Sequence, residues 1–151
     1  MKTKSASETT VKITRTVRAP IDRVFAAWTD ASIVRQWWHG EDSITSDLVL
    51  QPRVGGDFRW EFANAQGHKH IVHGEVFELV PREKISFTWT DDEEASSVHH
   101  DASRVTVDFR EGRGVEIRLV HQRLEDAADR DAHERTWNAA LDRLEQMLAG
   151  K

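Results

Sequence analysis

The sequence contains no cysteine and no tyrosine. Without cysteine, the chain forms no disulfides and offers no thiolate for catalysis or metal binding. No apolar run comes near the ~18 residues that a membrane-spanning helix requires. No apolar segment follows the charged N-terminus, as it would in a signal peptide. These absences predict a cytoplasmic protein without a membrane span.

Basic residues are in the minority. The chain has 21 Lys and Arg against 26 Asp and Glu, which gives a formal net charge of -5 at pH 7. Proteins that bind nucleic acid usually cluster Lys and Arg on one surface, and the sequence has no basic run or stripe. We therefore expect no nucleic-acid partner.

Large aromatic side chains are what the sequence does contain. Apolar residues make up only 38% of the 151 residues, but six Trp and six Phe are among them. A chain of this length is typical of one domain. We interpret residues 1–9 as a disordered leader and residues 10–149 as a single domain.

Alternation and helical spacing predict the order of the elements. A strand begins near Val11, and two short helices follow, the second running from Ala31 to about Trp37 with Asp30 as its cap. A helix of ~20 residues, about 30 Å long, follows Asp126. The segments between these helices alternate apolar with polar residues, which predicts the strands 44–50, 58–62, 70–80, 85–89, 105–109 and 115–121. The acidic segment 91–102 is predicted to be a loop.

The predicted architecture is α+β. Successive strands joined by short turns form an antiparallel sheet, and each strand is apolar on one face only, so the sheet needs a cover. The long helix is the one cover of sufficient length, but it is ~10 Å wide, whereas seven strands at ~4.8 Å spacing are about three times wider. The sheet must therefore curve around the helix. Its inward aromatic rings either fill the remaining space or line a cavity.

Two adjacent tryptophans lie in the segment 35–40, RQWWHG, at the exit of the second short helix. Neighbouring residues on a helix point about 100° apart, so one flat core does not readily absorb both rings. Helical spacing favours Trp37 as the buried ring that anchors the helix and Trp38 as the ring that closes or lines the mouth of a cavity, where it would be half-exposed. In the alternative interpretation, both rings are half-buried packing residues on a turn.

Several segments together carry a family pattern: 18–30, 35–38, 52–62, 74–89 and 133–148. On these segments the sequence resembles the START-like, or helix-grip, superfamily, which includes Bet v 1 proteins and polyketide cyclases. Within it, the sequence is similar to the branch named after the C-terminal domain of the activator of Hsp90 ATPase. Two positions depart from the branch. His39 separates the tryptophan pair from Gly40, and Thr136 precedes Trp137 where the family often has glycine, so we expect the cavity shape to differ.

The resemblance implies a helix-grip fold with a cavity between the curved sheet and the long helix, open near the short helices. Together with the inward positions of the strands, it predicts these ligand-contacting residues: Arg15, Trp38, Phe58, Trp60, Phe62, Phe87, Trp89, Val105, Val107, Ile117, Leu119, His121, His133 and Trp137. We therefore expect a binding protein for a small apolar or amphipathic molecule, without a cofactor. An enzyme of the cyclase or dehydratase type and a protein-interaction module related to Hsp90 activators are the alternatives.

Three of these residues are polar and leave their roles open. His121 either bonds to backbone or water at the end of the sheet, or contacts the ligand, or acts as a general acid or base with Glu78. Arg15 either holds an acidic group of the ligand or pairs with Glu78. His133 lies four residues before Trp137 on the same helix face.

Neither a bound metal ion nor a contact with an Hsp90-type chaperone is expected. His68 and His70 share one face of a strand while His73 points the other way, so three ligands do not converge there. The cluster 99–101 lies in the acidic loop and is expected to be solvated. Contact with an Hsp90-type chaperone is not expected, because the sequence has no counterpart of the additional N-terminal domain of eukaryotic activators. A homodimer is left open.

Overall fold

The computed structural model describes residues 9–38, 43–64, 66–67, 69–93, 103–124 and 126–149. The element bounds, in chain order, are β1 Val11–Val17, α1 Ile21–Thr29, α2 Ala31–Trp37, β2 Ser43–Leu50, β3 Asp57–Asn64, β4 Lys69–Val80, β5 Lys84–Glu93, β6 Ser103–Glu111, β7 Val115–Gln122 and α3 Ala127–Ala149. The predicted order of strands and helices is confirmed. Most of the predicted leader lies outside the described residues.

The strands form one antiparallel sheet in the order β1-β7-β6-β5-β4-β3-β2. Strands β2 to β7 are neighbours both in the sheet and along the chain, so short connections suffice between them. Only β1 and β2, at the two edges, are far apart in the sheet although consecutive among the strands, and α1 and α2 connect them. The predicted α+β architecture is therefore confirmed.

One predicted boundary is wrong. Strand β5 runs to Glu93, so the residues Asp91–Glu93 are part of a strand and not of the acidic loop. They pair with His70–Val72 of β4. The ladder uses backbone groups, and a strand partner satisfies these whatever the charge of the side chains. The remainder of the predicted loop lies outside the described residues.

Asp30 joins α1 to α2. Its backbone N–H donates to Ala26 O and ends α1. Its carboxylate accepts hydrogen bonds from the backbone N–H of Ser32 at 2.9 Å and from the Ser32 hydroxyl at 2.6 Å, which begins α2. The predicted cap is confirmed, and it sets the direction in which α2 carries the tryptophan pair toward the sheet.

Helix α3 covers the inner face of the sheet. The residues of its apolar stripe are all buried, as their spacing predicts: Trp137, Leu141, Leu144 and Leu148. At the start of the helix, the Asp126 carboxylate accepts a hydrogen bond from the backbone N–H of Asp129. The last turn of α3 has no basic residue of its own. Instead, Arg23 of α1 donates to the carbonyls of Met147 and Leu148, which places a cation at the negative end of the helix dipole.

Two turns restrict the residues that fit in them, one through its backbone angle and one through a close contact. Arg82 has φ 65 in the β4–β5 turn, where Glu83 N–H donates to Val80 O at 2.9 Å. Glycine or asparagine usually occupies such a position. In the β2–β3 turn, a Cβ on Gly56 would lie 2.2 Å from Gln51 O, so only glycine fits. In the part of the chain that the structure describes, no helix is both long and apolar enough to cross a membrane.

Candidate functional site

Trp38 lies at the centre of an aromatic cluster between the sheet and α3. It is 2% exposed. Rings from β3, β5 and α3 surround it, with centroids 5.3–5.9 Å from that of Trp38: Phe58, Trp60, Phe87, Trp89 and Trp137. The structure thus brings the predicted inward rings together, and the Trp38 indole occupies the space between them.

Trp37 packs on α1 instead. Its Nε1–H donates to Ala27 O at 2.8 Å, and its ring meets Trp28 at a centroid distance of 4.7 Å. It is fully buried, as an anchor would be. Both rings fit because α2 ends between α1 and the sheet, so apolar groups lie in both directions. The prediction that Trp38 is half-exposed at a cavity mouth is wrong.

Thr45 of β2 connects two members of the cluster. Its Oγ1 accepts a hydrogen bond from Trp60 Nε1–H at 3.0 Å and donates to Trp38 O at 3.1 Å. The exit of α2 is therefore tied to β2 and β3 through one hydroxyl. The alternation of β2 gives no sign of this role, because Thr45 is an ordinary strand residue.

His121 belongs to a buried hydrogen-bonded chain at one end of the cluster. Trp137 Nε1–H donates to His121 Nδ1 at 3.1 Å. His121 Nε2 lies 2.8 Å from Ser103 Oγ, and the Ser103 hydroxyl donates to Trp89 O at 3.0 Å. An indole nitrogen only donates, so His121 Nδ1 accepts and Nε2 carries the proton of the neutral ring. The predicted inward position of His121 is confirmed.

His133 lies next to His121. The two ring centroids are 4.9 Å apart and the rings are nearly perpendicular. His133 Nδ1 bonds to Asp129 O at 2.8 Å and lies 3.3 Å from Asp129 Oδ1. The ring of Trp89 is 6.3 Å away. The aromatic cluster therefore has a polar end, formed by β6, β7 and the first turns of α3.

Arg15 is engaged by α3. Its guanidinium lies 2.8 Å from side-chain oxygens of Asn138, Asp142 and Glu145. The predicted pairing with Glu78 is wrong. An acidic ligand group would have to compete with two carboxylates for Arg15.

Glu78 faces the other side of the sheet. It is paired in register with Ser86, whose neighbour Phe87 points inward. Its carboxylate lies 3.6 Å from Lys84 Nζ. A general acid or base pair of His121 with Glu78 is excluded by this separation, because the two side chains lie on opposite faces.

The remaining predicted ligand residues also lie on the inner face. The aliphatic members are all buried: Val105, Val107, Ile117 and Leu119. Phe62 is partly buried, and its ring stacks between Trp60 at 4.3 Å and His70 at 5.0 Å. Contact of these residues with a ligand stays a prediction.

Sequence reasoning missed two kinds of site residue. The helical spacing indicates that Trp28 is on the buried side of α1 and that Trp37 is an anchor, but it does not indicate that both rings also join the cluster around Trp38, at centroid distances of 6.3 and 5.7 Å. Ser103 was overlooked because it precedes the predicted strand. It does continue the inward alternation of Val105 and Val107, and this spacing is the signal that could have found it.

The described ranges contain no group of three or more His, Asp or Glu side chains that could hold a metal ion. His68 and the cluster 99–101 lie outside those ranges. The expectation that the protein binds no metal therefore stays a prediction.

A groove of about 550 Å³ lies at the end of the sheet that carries the β4–β5 and β6–β7 turns. Most of its lining is charged: Glu78, Glu83, Lys84, Asp108, Arg110, Glu116 and Arg118, beside Val80 and Phe109. Several of these charges already pair, such as Lys84 with Asp108 at 3.9 Å. This groove differs in chemistry from the apolar, inward site.

A seven-stranded antiparallel sheet, two short helices after the first strand and a long C-terminal helix packed on the sheet define the START-like class. The chain belongs to the family described as activator of Hsp90 ATPase homolog 1-like protein, whose family model matches residues 18–149. The predicted resemblance is confirmed.

Solved structures from several bacteria are similar to this chain. A protein of Rhizobium leguminosarum is 31% identical, with a TM-score of 0.83, and the match covers 97% of this chain and 98% of that one. A protein of Chromobacterium violaceum is 27% identical, with a TM-score of 0.82 and 93% and 96% coverage. An AHSA1 protein of Silicibacter pomeroyi shares the fold at 23% identity, with a TM-score of 0.84 and 93% and 97% coverage. No curated protein matches the chain.

Proposed function

We propose that this domain binds a small apolar or amphipathic molecule between the sheet and α3, and that the molecule takes the place held by Trp38. The observation that carries the proposal is the convergence of rings from β3, β5 and α3 on one indole. Small-molecule sites are concave and lined by apolar and aromatic side chains, with few polar groups. The pair His121 and His133 would supply such polar groups at one end.

Trp38 is held in a way that permits its displacement. It is the C-cap of α2, and its backbone is no longer helical, with φ -87 and ψ 85. Its backbone makes two hydrogen bonds, from its N–H to Val34 O and from the Thr45 hydroxyl to its carbonyl. Moving it breaks these two bonds and the ring contacts, but no strand pairing. Trp37 lies inside the helix and is held by its own side-chain bond to Ala27.

Binding is favoured over catalysis by the direction of the hydrogen bonds around His121. A serine–histidine hydrolase needs a ring nitrogen that accepts the serine proton. Here Nε2 donates to Ser103 and Nδ1 accepts from Trp137, so Ser103 is not activated. The closeness of His121 and His133 is the feature that favours the alternative, an acid–base enzyme of the cyclase or dehydratase type.

The family description names an Hsp90 activator, but for this chain we propose no chaperone contact. Exposed apolar side chains in the described part of the chain are Val49, Val54, Phe77 and Val80. Phe77 is already covered in part by the Arg104 guanidinium, 5.4 Å from the ring centroid. We therefore expect the ATPase rate of an Hsp90-type chaperone to be unchanged by this protein. We also propose that the protein is cytoplasmic, as its composition predicts.

The test is a binding titration with small apolar probes, in which calorimetry and tryptophan fluorescence measure the binding. We expect the wild type to bind, and Trp38→Ala to bind more tightly, because the cost of displacing the indole is gone. Val54→Ala is the matched control, since Val54 is 63% exposed in the β2–β3 turn and is not one of the side chains around Trp38. If Trp38→Ala binds probes and the wild type binds none, the site exists only as an engineered cavity and the proposal is wrong.

A further inference from the structure

Trp28 has a buried polar atom that lacks a partner in the described part of the chain. It is 1% exposed, and among the described residues its Nε1 has no hydrogen-bond acceptor. Three other buried indoles do have acceptors: Trp37 donates to Ala27 O, Trp60 to Thr45 Oγ1 and Trp137 to His121 Nδ1. Nearly all buried donors in native structures are paired, so an exception requires an explanation.

The surroundings of Trp28 are poorly suited to a water molecule. The rings in contact with it are those of Trp37, Trp38, Phe109 and Trp137, at centroid distances of 4.7–6.3 Å. A buried water needs about two to four polar partners. The indole N–H groups of Trp37 and Trp137 are donors that already have acceptors, Ala27 O and His121 Nδ1. The missing acceptor is better supplied by a molecule that is otherwise apolar.

We propose that Trp28 Nε1–H is a hydrogen-bond donor to the ligand, and that the ligand carries a neutral carbonyl or ether oxygen on an apolar, ring-containing body. This inference rests on the proposed function, because the Trp28 ring contacts Trp38, whose place the ligand takes. A carboxylate is disfavoured, since the groups around Trp28 are aromatic rings and a buried charge without a counter-charge is costly.

The test uses two probes with the same bicyclic skeleton: indanone, which has a carbonyl, and indane, which does not. We expect the wild type to prefer indanone by several-fold, up to about tenfold. Trp28→Phe keeps an aromatic ring but removes the N–H, so the preference should fall to parity. Trp37→Phe is the matched control, because it also removes an indole next to Trp38, but one whose N–H is already used by Ala27 O. Any change in affinity should be the same for both probes, so the preference for indanone should persist.

A second readout uses the wild type alone, in case Trp28→Phe does not fold. The indole proton resonance of Trp28 should move downfield with indanone and not with indane. If the wild type binds neither probe, the proposed function itself is wrong. If it binds both equally, or if Trp28→Phe keeps the preference, this inference is wrong while the proposed function stands. The inference is also wrong if NMR shows a long-lived water bound to the Trp28 indole N–H. It is wrong as well if the Trp37 ring shifts the Trp28 indole proton upfield and added indanone does not change that resonance.

Discussion

Replacement of Trp38 by alanine should be strongly destabilising. The residue is 2% exposed and is surrounded by aromatic rings. A buried tryptophan removes on the order of 200 Å² from water, which at ~25 cal/mol/Å² corresponds to about 5 kcal/mol. Measured losses for Trp→Ala in cores are about 3–5 kcal/mol, and we expect ~4 kcal/mol. That is a large part of the ~5–15 kcal/mol that stabilises a typical domain.

The assay is urea unfolding followed by far-UV circular dichroism, because removing a tryptophan alters fluorescence. With a slope of about 2 kcal/mol/M, the midpoint should fall by about 2 M. Trp38→Phe, which keeps a ring, should lose less than half as much. Val49→Ala is the control, since Val49 is 40% exposed on β2, and its change should stay within ~0.5 kcal/mol.

A loss of about 1 kcal/mol or less for Trp38→Ala would refute this reasoning. That result corresponds to the half-exposed position at a cavity mouth that the sequence pattern favoured. Added indole gives a further check, because an apolar cavity of suitable size binds an apolar guest. Indole should restore part of the lost stability of Trp38→Ala as its concentration rises, and should stabilise Val49→Ala less, because in that variant the Trp38 ring must first be displaced.

Other predictions concern backbone strain, proton position and pH. Arg82→Gly should stabilise the protein by about 1 kcal/mol in the same assay, because φ 65 strains a side chain, whereas Arg110→Gly in β6 should destabilise it. Nitrogen-15 NMR at neutral pH should find His121 protonated at Nε2 and unprotonated at Nδ1; the reverse tautomer would contradict the assigned hydrogen bonds. The Ser32 hydroxyl and then its backbone N–H lower the pKa of the Asp30 carboxyl. The cap therefore stabilises the fold above the unfolded-state pKa and is lost as pH falls through the folded-state pKa. Asp30→Asn should remove this part of the acid sensitivity of unfolding.

Much of the fold follows from local pattern. Alternation of apolar and polar residues predicted six strands after the short helices, and the 4-3-4 spacing predicted the buried stripe of α3, because each periodicity reflects the geometry of one element. The cap at Asp30 was predictable for the same reason, since its partners lie within two or three residues. The inward direction of His121 also follows from its own strand.

The partners across the core were decided by the tertiary structure. Arg15 meets Asp142, 127 residues away, and no local pattern could select it over Glu78. The tautomer of His121 depends on an indole of α3. Above all, the burial of Trp38 depends on the angle at which α2 leaves Asp30 and ends between α1, the sheet and α3. Helical spacing predicts that two large rings leave α2 in different directions. Whether apolar groups lie in both directions depends on elements that are distant along the chain, because α1, the sheet and α3 come together there.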